Sequence, residues 1–392
     1  MVKRRLARLW AVLVALVGGA LAQKEIVVGV IENLTGPNAP IGIPRQNTLP
    51  LVEERFKGGI AGYRVRFVLL DDRTDATVAA QNARKLVEQE RASVLIGSGA
   101  VPAALAINQV AVEVGVPFLV TSPALQYPGL GSQYPWAFQI PRAGRDMALV
   151  VAKDLRDKGV KRVAYIGFSD AWGDDWYNNL VALSKEYGYE VVANERFART
   201  DTSVTGQVLR ILAQRPEAVL IGASSTPAVL PHRTLVERGY KGLIYHTHGV
   251  TVTAFLQLGG KVVEGALIPS DPLPVADQLP ASFPTKIQAL LYKQLYESRY
   301  GMDTAATFGA YVFDAGYLLE KAIPQALKRA RPEEDLKGFR KALRDALEGL
   351  RGVKGASGIF SFSPDRHIGL DASEAVLITV EGGRWKLIRT FR

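Results

Sequence analysis

Two stretches of this chain are near copies of each other and indicate how it folds. Residues 94–105 read VLIGSGAVPAAL and residues 219–230 read VLIGASSTPAVL, so seven of the twelve positions are identical at an offset of 125. Each copy combines a short apolar run, a loop of small residues and a proline that suits the first turn of a helix. A second pair, 120–122 (VTS) and 246–248 (HTH), lies at an offset of 126. The repetition predicts a duplicated strand–loop–helix architecture.

The rest of the chain alternates short apolar runs with amphipathic stretches. Runs such as Ile26–Ile31, Arg64–Leu70 and Arg162–Gly167 are separated by helical stretches such as Arg45–Phe56 and Asp175–Tyr187. This alternation is typical of parallel sheets that are covered by helices on both faces. The predicted fold class is therefore α/β, with two such sheets. Ligands bind beyond the carboxyl ends of parallel strands, where helix N-termini favour a carboxylate or a phosphate.

Residues 1–22 have the features of a cleavable signal peptide. Four basic residues within the first eight positions precede an unbroken apolar run at 9–17, and Ala-Leu-Ala at 20–22 comes before Gln23. A membrane anchor is the alternative, but the apolar run is shorter than the roughly 18–20 residues that a spanning helix needs. Cleavage after residue 22 would lower the formal net charge from +10 to +6. The sequence therefore predicts an exported protein.

The composition argues against several kinds of chemistry. The 392 residues include no cysteine, which excludes disulfides, thiolate metal sites and a lipid anchor on an N-terminal cysteine. The loop at 97–99 lacks the third glycine of a dinucleotide fingerprint, because the spacing reaches Pro102. His246 and His248 could face one side as metal ligands do, but no further cluster of histidines or acids completes a set. The dispersed basic residues argue against nucleic acid, and no cofactor or metal is expected.

Ordered motifs give the mature chain a resemblance to a known family. These motifs are IVVGV…LTGP at 26–37, GGIAGY at 58–63, LDD…D at 70–75, ARKLV at 83–87, VLIG at 94–97, VP at 116–117, SP at 122–123, WG at 172–173 and EG at 264–265. In this order they resemble the type I periplasmic solute-binding proteins of ABC importers, in the branched-chain (hydrophobic) amino-acid group. The resemblance implies two Rossmann-like lobes joined by three hinge crossovers. It implies a first lobe of 23–140 and 271–355 and a second lobe of 141–270 and 356–392.

The resemblance also implies a set of ligand-binding residues in the cleft between the lobes. In the first lobe, loops after the third and fourth strands would bind a carboxylate, and the candidate residues there are Ser98, Ala100, Val101, Ser122 and Ala124. In the second lobe, Trp172 would cover the apolar body of the ligand. Ser224, Ser225 and His248 would close on the ligand from that side.

The histidine at position 248 leaves the ligand class open. In amino-acid-binding members the corresponding residue is an acid that pairs with the α-ammonium group, whereas His248 is neutral or cationic. Glu32 and Asp170 could still supply an acid in the cleft. Residues 199–208 and 240–250 also resemble the subgroup that takes up aromatic carboxylates such as hydroxycinnamates. The expected ligand is a small carboxylate, either a hydrophobic amino acid or an aromatic or aliphatic acid without an amine.

These observations predict a binding protein without catalytic activity that delivers its ligand to the permease subunits of an ABC importer. We expect a soluble periplasmic monomer that is not a lipoprotein. Two alternatives stay open. An exported α/β hydrolase would use Ser169 or the two histidines, His246 and His248. A ligand-sensing receptor lobe would need a second membrane segment, and no later stretch of the sequence is apolar enough to supply one.

Overall fold

The computed structural model describes residues 24–125 and 132–391, which form two large β-sheets. The strands of the first sheet are β1 (Glu25–Glu32), β2 (Arg64–Asp71), β3 (Val94–Gly97), β4 (Phe118–Val120) and β5 (Ala137–Gln139). They are all parallel, in the order β2-β1-β3-β4-β5. β1 is buried over nearly its whole length. Its sequence is a continuous apolar run because neither face of the strand contacts solvent.

The second sheet repeats the strand order of the first. The remaining strands are β6 (Arg162–Phe168), β7 (Glu190–Phe197), β8 (Ala218–Gly222), β9 (Leu243–His246), β10 (Leu267–Ser270), β11 (Val353–Lys354), β12 (Ile359–Phe360), β13 (Val376–Glu381) and β14 (Arg384–Thr390). The parallel part of the second sheet has the order β7-β6-β8-β9-β10, and the antiparallel strands β13 and β14 extend it beyond β10. The two copies of the repeated stretch form β3 and β8, which occupy equivalent positions. The predicted duplication is therefore confirmed.

Helices cover both sheets, and each sheet with its helices forms one lobe. The helices are α1 (Ala39–Arg55), α2 (Ala76–Glu88), α3 (Val101–Val114), α4 (Gly144–Asp157), α5 (Ala171–Tyr187), α6 (Thr205–Ala213), α7 (Val229–Glu237), α8 (Thr253–Gly259), α9 (Lys286–Tyr300), α10 (Thr307–Leu327) and α11 (Leu336–Glu348). A short 3₁₀ turn at Thr226–Ala228 precedes α7, and another at His248–Val250 follows β9. α10 packs against α1, so the helical segment after β10 belongs to the first lobe.

Two helices near the cleft begin earlier than the sequence predicts. α1 starts at Ala39 rather than at Arg45. Pro40 lies in its first turn, where a proline is tolerated, and the helix continues through Pro44. α5 starts at Ala171 rather than at Asp175, because the Asp170 side chain caps it. That side chain accepts a backbone N–H bond in the first turn of the helix, which lowers the energy of the helix start. Both differences lengthen the helix at the end that faces the other lobe.

The chain crosses between the lobes after β5, after β10 and again before β13. Beyond β12, residues 367–369 run beside β5. The Gln139 N–H donates to the His367 carbonyl at 2.8 Å, and the Gly369 N–H donates to the Gln139 carbonyl at 3.0 Å. We therefore propose that the third crossover follows Leu370. This is later than the boundary at 355–356 that the resemblance implies, because the strand-like pairing holds the segment on the first lobe.

The membrane-related expectations concern different parts of the chain. The predicted signal peptide, residues 1–22, lies outside the described residues. Within 24–125 and 132–391, no helix combines the length and the apolar character needed to cross a bilayer.

Candidate ligand-binding site

Loops at the carboxyl ends of strands from both lobes meet at a pocket. The residues that line it are Ile41, Arg45, Gly99, Val101, Thr121, Ser122, Pro123, Trp172, Arg199, Ser224, His248, Gly249, Phe308 and Tyr311. The volume that the centre of a water molecule can occupy in this pocket is about 10 Å³, which is room for about one water molecule. The lobes are therefore closed on the pocket, and a larger molecule can enter only if they separate.

Arg45 on α1 forms part of the first-lobe wall. Its Nη1 donates to Glu32 Oε2 at 2.8 Å. Its Nη2 donates to the Thr121 carbonyl at 2.5 Å, and its Nε donates to the Phe308 carbonyl at 3.2 Å. Burial raises the pKa of Glu32, although the Arg45 charge opposes that shift. Glu32 is fully buried and does not line the pocket, so the arginine is the charged group of this pair that a ligand would meet.

An aromatic cluster forms part of the second-lobe wall. The rings of His248, Trp172 and Trp176 pack against one another, with the His248 centroid 5.3 Å from the Trp172 ring and 5.8 Å from the Trp176 ring. Burial lowers the pKa of His248 to about 3, and the positive charge of Arg142 contributes to the shift. The imidazole is therefore neutral at physiological pH and can both donate and accept one hydrogen bond.

Arg199 supplies the charged group of the second-lobe wall. It lies in the loop after β7, and its side chain is 13% exposed. Its Nε donates to Asp170 Oδ2 at 2.6 Å, and its guanidinium carbon lies 4.1 Å from the centroid of the Phe168 ring. Asp170 does not line the pocket, so the arginine is again the charged group nearer to a ligand.

Three polar atoms of the lining residues lack a hydrogen-bond partner within the described part of the chain. They are Ser122 Oγ, Trp172 Nε1 and His248 Nδ1. Buried polar atoms are ordinarily paired, because an unpaired one costs about 1–3 kcal/mol. The indole N–H can only donate, and the hydroxyl and the imidazole can also donate. A ligand with acceptor oxygen atoms is suited to all three.

Tyr311 links the pocket to the hinge. Its hydroxyl donates to Asp271 Oδ2, and Arg142 Nη1 donates to Asp271 Oδ1. Arg142 also donates to the Ser357 carbonyl at 3.0 Å and to the Asp371 carbonyl at 2.7 Å. Arg142 lies on the first crossover and Asp271 on the second, and the two carbonyls precede β13. We call Arg142, Asp271 and Tyr311 the hinge cluster.

The structure brings part of the predicted site together. Five of the nine predicted residues line the pocket, namely Val101, Ser122, Trp172, Ser224 and His248. The other four do not line it, namely Ser98, Ala100, Ala124 and Ser225.

The four residues outside the pocket have partners or positions within their own lobe. The Ser98 hydroxyl donates to Asp72 Oδ2 at 2.5 Å, so it stabilises the loop after β3 instead of facing the cleft. The Ala100 N–H lies 3.4 Å from that hydroxyl. The Ala124 N–H donates to the Ser122 carbonyl at 2.8 Å and is not available to a carboxylate. The Ser225 N–H donates to the Gly249 carbonyl at 2.8 Å.

Sequence reasoning missed the charged and the hinge-side lining residues, Arg45, Arg199 and Tyr311. Arg45 is a charged residue in the largely apolar segment 41–52, which was a usable signal. Arg199 opens the segment 199–208, whose residues indicate a site only through their resemblance to the aromatic-carboxylate subgroup. Tyr311 lies in a buried apolar helix whose pattern does not distinguish a pocket residue from a core residue.

The alternative chemistries lack a site in the described residues. His246 Nε2 lies 2.8 Å from His232 Nδ1, so His246 pairs within the second lobe and does not share a face with His248. The Ser169 hydroxyl donates to the Phe197 carbonyl at 3.3 Å rather than to a base. Among residues 24–125 and 132–391, no group of three or more histidines and acids is placed to hold a metal ion.

Comparison with known proteins identifies the family. The periplasmic binding protein family matches residues 25–381. This chain belongs to that family. A solved extracellular ligand-binding receptor from Rhodopseudomonas palustris is 37% identical to it, with a TM-score of 0.88, and the match covers 93% of this chain and 99% of the receptor.

More distant relatives of this periplasmic binding protein carry names that mention ligands. The Leu/Ile/Val-binding protein BraC3 of Rhizobium johnstonii is 26% identical over 268 residues, which cover 67% of this chain and 72% of BraC3. A solute-binding protein of a Rhodopseudomonas palustris ABC transporter, solved with benzoate, is 20% identical with a TM-score of 0.80. That match covers 93% of this chain and 96% of the other. The predicted type I fold and the solute-binding role of an ABC-transporter protein are thereby confirmed.

Proposed function

We propose that this periplasmic binding protein captures a small carboxylate without an amine and delivers it to the permease subunits of an ABC importer. One observation carries the ligand class. The pocket is lined by Arg45 and Arg199, and no acidic residue is among its described lining residues. An ammonium group buried there without a carboxylate would cost several kcal/mol.

Among the described residues, each acid that accepts a hydrogen bond from a lining side chain is also paired with an arginine. Glu32 accepts from Arg45 at 2.8 Å, and Asp170 accepts from Arg199 at 2.6 Å. Asp271 accepts from Arg142 and from the Tyr311 hydroxyl. An α-ammonium group would have to compete with these charged partners, and a paired buried carboxylate is costly to separate.

A carboxylate is suited to the same pocket. The two arginines provide positive potential, and the unpartnered groups on Ser122, Trp172 and His248 can donate hydrogen bonds to its oxygen atoms. Rings of Trp172 and Phe308 and the side chain of Ile41 offer apolar surface for the rest of the ligand. Aromatic and branched aliphatic acids combine both features.

Calorimetry and thermal unfolding with matched ligand pairs test the ligand class. 3-Phenylpropionate differs from L-phenylalanine only in lacking the amine, and 4-methylpentanoate differs from L-leucine in the same way. We expect the acids without the amine to stabilise the purified protein, by about 2.7 kcal/mol at 100 times the dissociation constant. The amino acids should stabilise it much less. Tighter binding of the amino acids would overturn the proposed ligand class, and no stabilisation by any small acid would count against the binding role.

The export of the protein forms a second part of the proposal. We propose cleavage before Gln23 and release as a soluble periplasmic monomer, supported by the signal-like N-terminus and the lack of cysteine. N-terminal sequencing of the exported protein should begin at Gln23. Light scattering after size exclusion should give the mass of one mature chain, and a dimer mass would contradict the monomer.

A further inference from the structure

Arg199 is held firmly on the second lobe. Asp170 accepts from its Nε at 2.6 Å, and the Phe168 ring lies under the guanidinium at 4.1 Å. Ser224 Oγ accepts from its Nη1 at 3.3 Å. Asp170 also caps α5 through its other oxygen, so the arginine is attached to the framework of the lobe rather than to a loop alone.

The same guanidinium reaches across the cleft to Asn38. Its Nη1 donates to Asn38 Oδ1 at 3.0 Å. Asn38 belongs to the first lobe and is 1% exposed, and its carbonyl accepts from the Ile41 N–H at 2.8 Å at the start of α1. The Asn38 side chain makes no capping bond to that helix. We call this contact the cross-cleft bond.

The cross-cleft bond lies on the side of the cleft away from the hinge. Arg199 follows β7, which is an edge strand of the second sheet. Asn38 follows β1, whose neighbour β2 is an edge strand of the first sheet. The first two crossovers leave from β5 and β10, on the other side of each parallel array. Rotation about a hinge moves the most distant groups farthest, so opening must break this bond.

We propose that Arg199 and Asn38 determine how far the equilibrium between open and closed lobes favours closure. The proposal rests on the ligand-binding function proposed above and adds the contact that controls access to the site. Arg199 lines the pocket, so a carboxylate drawn to its free N–H groups would add to the cross-cleft bond and favour closure further.

Substitutions of Asn38 separate this contact from the rest of the site. Asn38→Ala removes the acceptor without removing a helix cap, and Asn38→Asp replaces it with a charged acceptor. A hydrogen bond to a charged group contributes roughly a ten-fold or larger factor to an equilibrium constant. We expect the ratio of closed to open protein to fall about ten-fold in Asn38→Ala and to rise in Asn38→Asp.

Spin-label distances in the full mature chain, without added ligand, measure this ratio. The chain has no cysteine, so Thr77→Cys on α2 and Thr202→Cys after β7 place the only two labels, both at exposed positions. The label-to-label distances should shift toward longer values in Asn38→Ala and toward shorter or narrower values in Asn38→Asp. Asn178, exposed on α5, provides the matched controls Asn178→Ala and Asn178→Asp, which should leave the distances unchanged.

The outcomes separate the two proposals. An unchanged distance distribution in Asn38→Ala, in protein with unaltered thermal unfolding, would overturn the role of the cross-cleft bond whatever ligand binds. That role would also be overturned if the Asn178 variants shifted the distances as much as the Asn38 variants do. Distances that respond as expected, in a protein that binds none of the tested acids, would support the cross-cleft bond and count against the proposed ligand.

Discussion

The hinge cluster and the cross-cleft bond each depend on an arginine, but the hinge arginine stays in place while the cross-cleft contact must break when the lobes open. At the hinge, Arg142 lies on the first crossover, is 1% exposed and bonds to groups on the other two crossovers. At the cleft, Arg199 is 13% exposed and makes one bond to the other lobe. An arginine that many buried partners hold cannot move without leaving a carboxylate unpaired, whereas one bond at the cleft can break and form again. The number and burial of the partners therefore distinguish a fixed pivot from a reversible contact.

Removing the hinge arginine should have the largest effect. Arg142→Ala leaves the Asp271 carboxylate buried without its counter-ion, and losses of about 3–5 kcal/mol are typical of that situation. We expect the free energy of unfolding, measured in urea, to fall by about this amount. Arg84→Ala is the matched control, because Arg84 pairs with Glu113 on the surface and its loss should change stability little. Equal effects of the two substitutions would contradict the role of the hinge cluster.

The hinge side should also respond to pH. Asp314 on α10 accepts the N–H bonds of Ala356 and Ser357 at 2.7 and 2.9 Å, close to the third crossover. Burial raises the pKa of Asp314 from 3.8 to about 7, against the opposing effect of these hydrogen bonds. The native state therefore binds the proton more tightly than the unfolded chain does. The stability that Asp314 contributes is fully present below pH 4 and is lost as the pH rises to about 7.

The matching measurement is the urea stability of the protein between pH 4 and pH 8. The free energy of unfolding of the parent protein should fall as the pH rises over this range. In Asp314→Asn that fall should be smaller, by a few kcal/mol at most. Asp365→Asn, at an exposed position, should leave the pH dependence as it is. A pH profile that is identical in the parent protein and Asp314→Asn would exclude Asp314 as its source.

At the cleft, a charge substitution should change the affinities for the two ligands in opposite directions. His248→Glu adds a negative charge beside the pocket arginines, so it should weaken the binding of 3-phenylpropionate about ten-fold or more and improve that of L-phenylalanine. His248→Gln keeps the position neutral and serves as the control. Calorimetry of both ligands with both variants gives the comparison. Equal dissociation constants for the Glu and Gln variants would remove His248 from the ligand contacts.

The smallest effect on stability is expected at the cross-cleft arginine. Arg199→Lys keeps the charge beside Asp170 but loses the fork that also reaches Asn38. We expect the free energy of unfolding to change by about 1 kcal/mol or less, because the pair with Asp170 is partly exposed. A loss as large as that of Arg142→Ala would mean that the two arginines contribute equally to stability, and it would contradict the distinction between a fixed hinge and a reversible contact.

The site was less predictable than the fold because it depends on where long side chains point. Val101, Ser122, Trp172, Ser224 and His248 follow strands or begin helices, so their place at the carboxyl edge was readable from the pattern. The Ser98 hydroxyl occupies a similar position, yet it donates to Asp72, 26 residues earlier. The sequence contains no signal that separates Ser98 from the lining residues Ser122 and Ser224, since all three are serines that follow a strand.

The sequence alone determined the α/β class, the duplicated sheets and the family, because strand and helix periodicity and the repeated stretch are local properties of the chain. Tertiary structure decided which charges face the pocket and how the lobes are joined. Arg45 contacts the Phe308 carbonyl across 263 positions, and Arg199 contacts Asn38 across 161. The first contact forms only when the first lobe is folded, and the second forms only when the two lobes are also closed. No pattern of neighbouring residues records either contact.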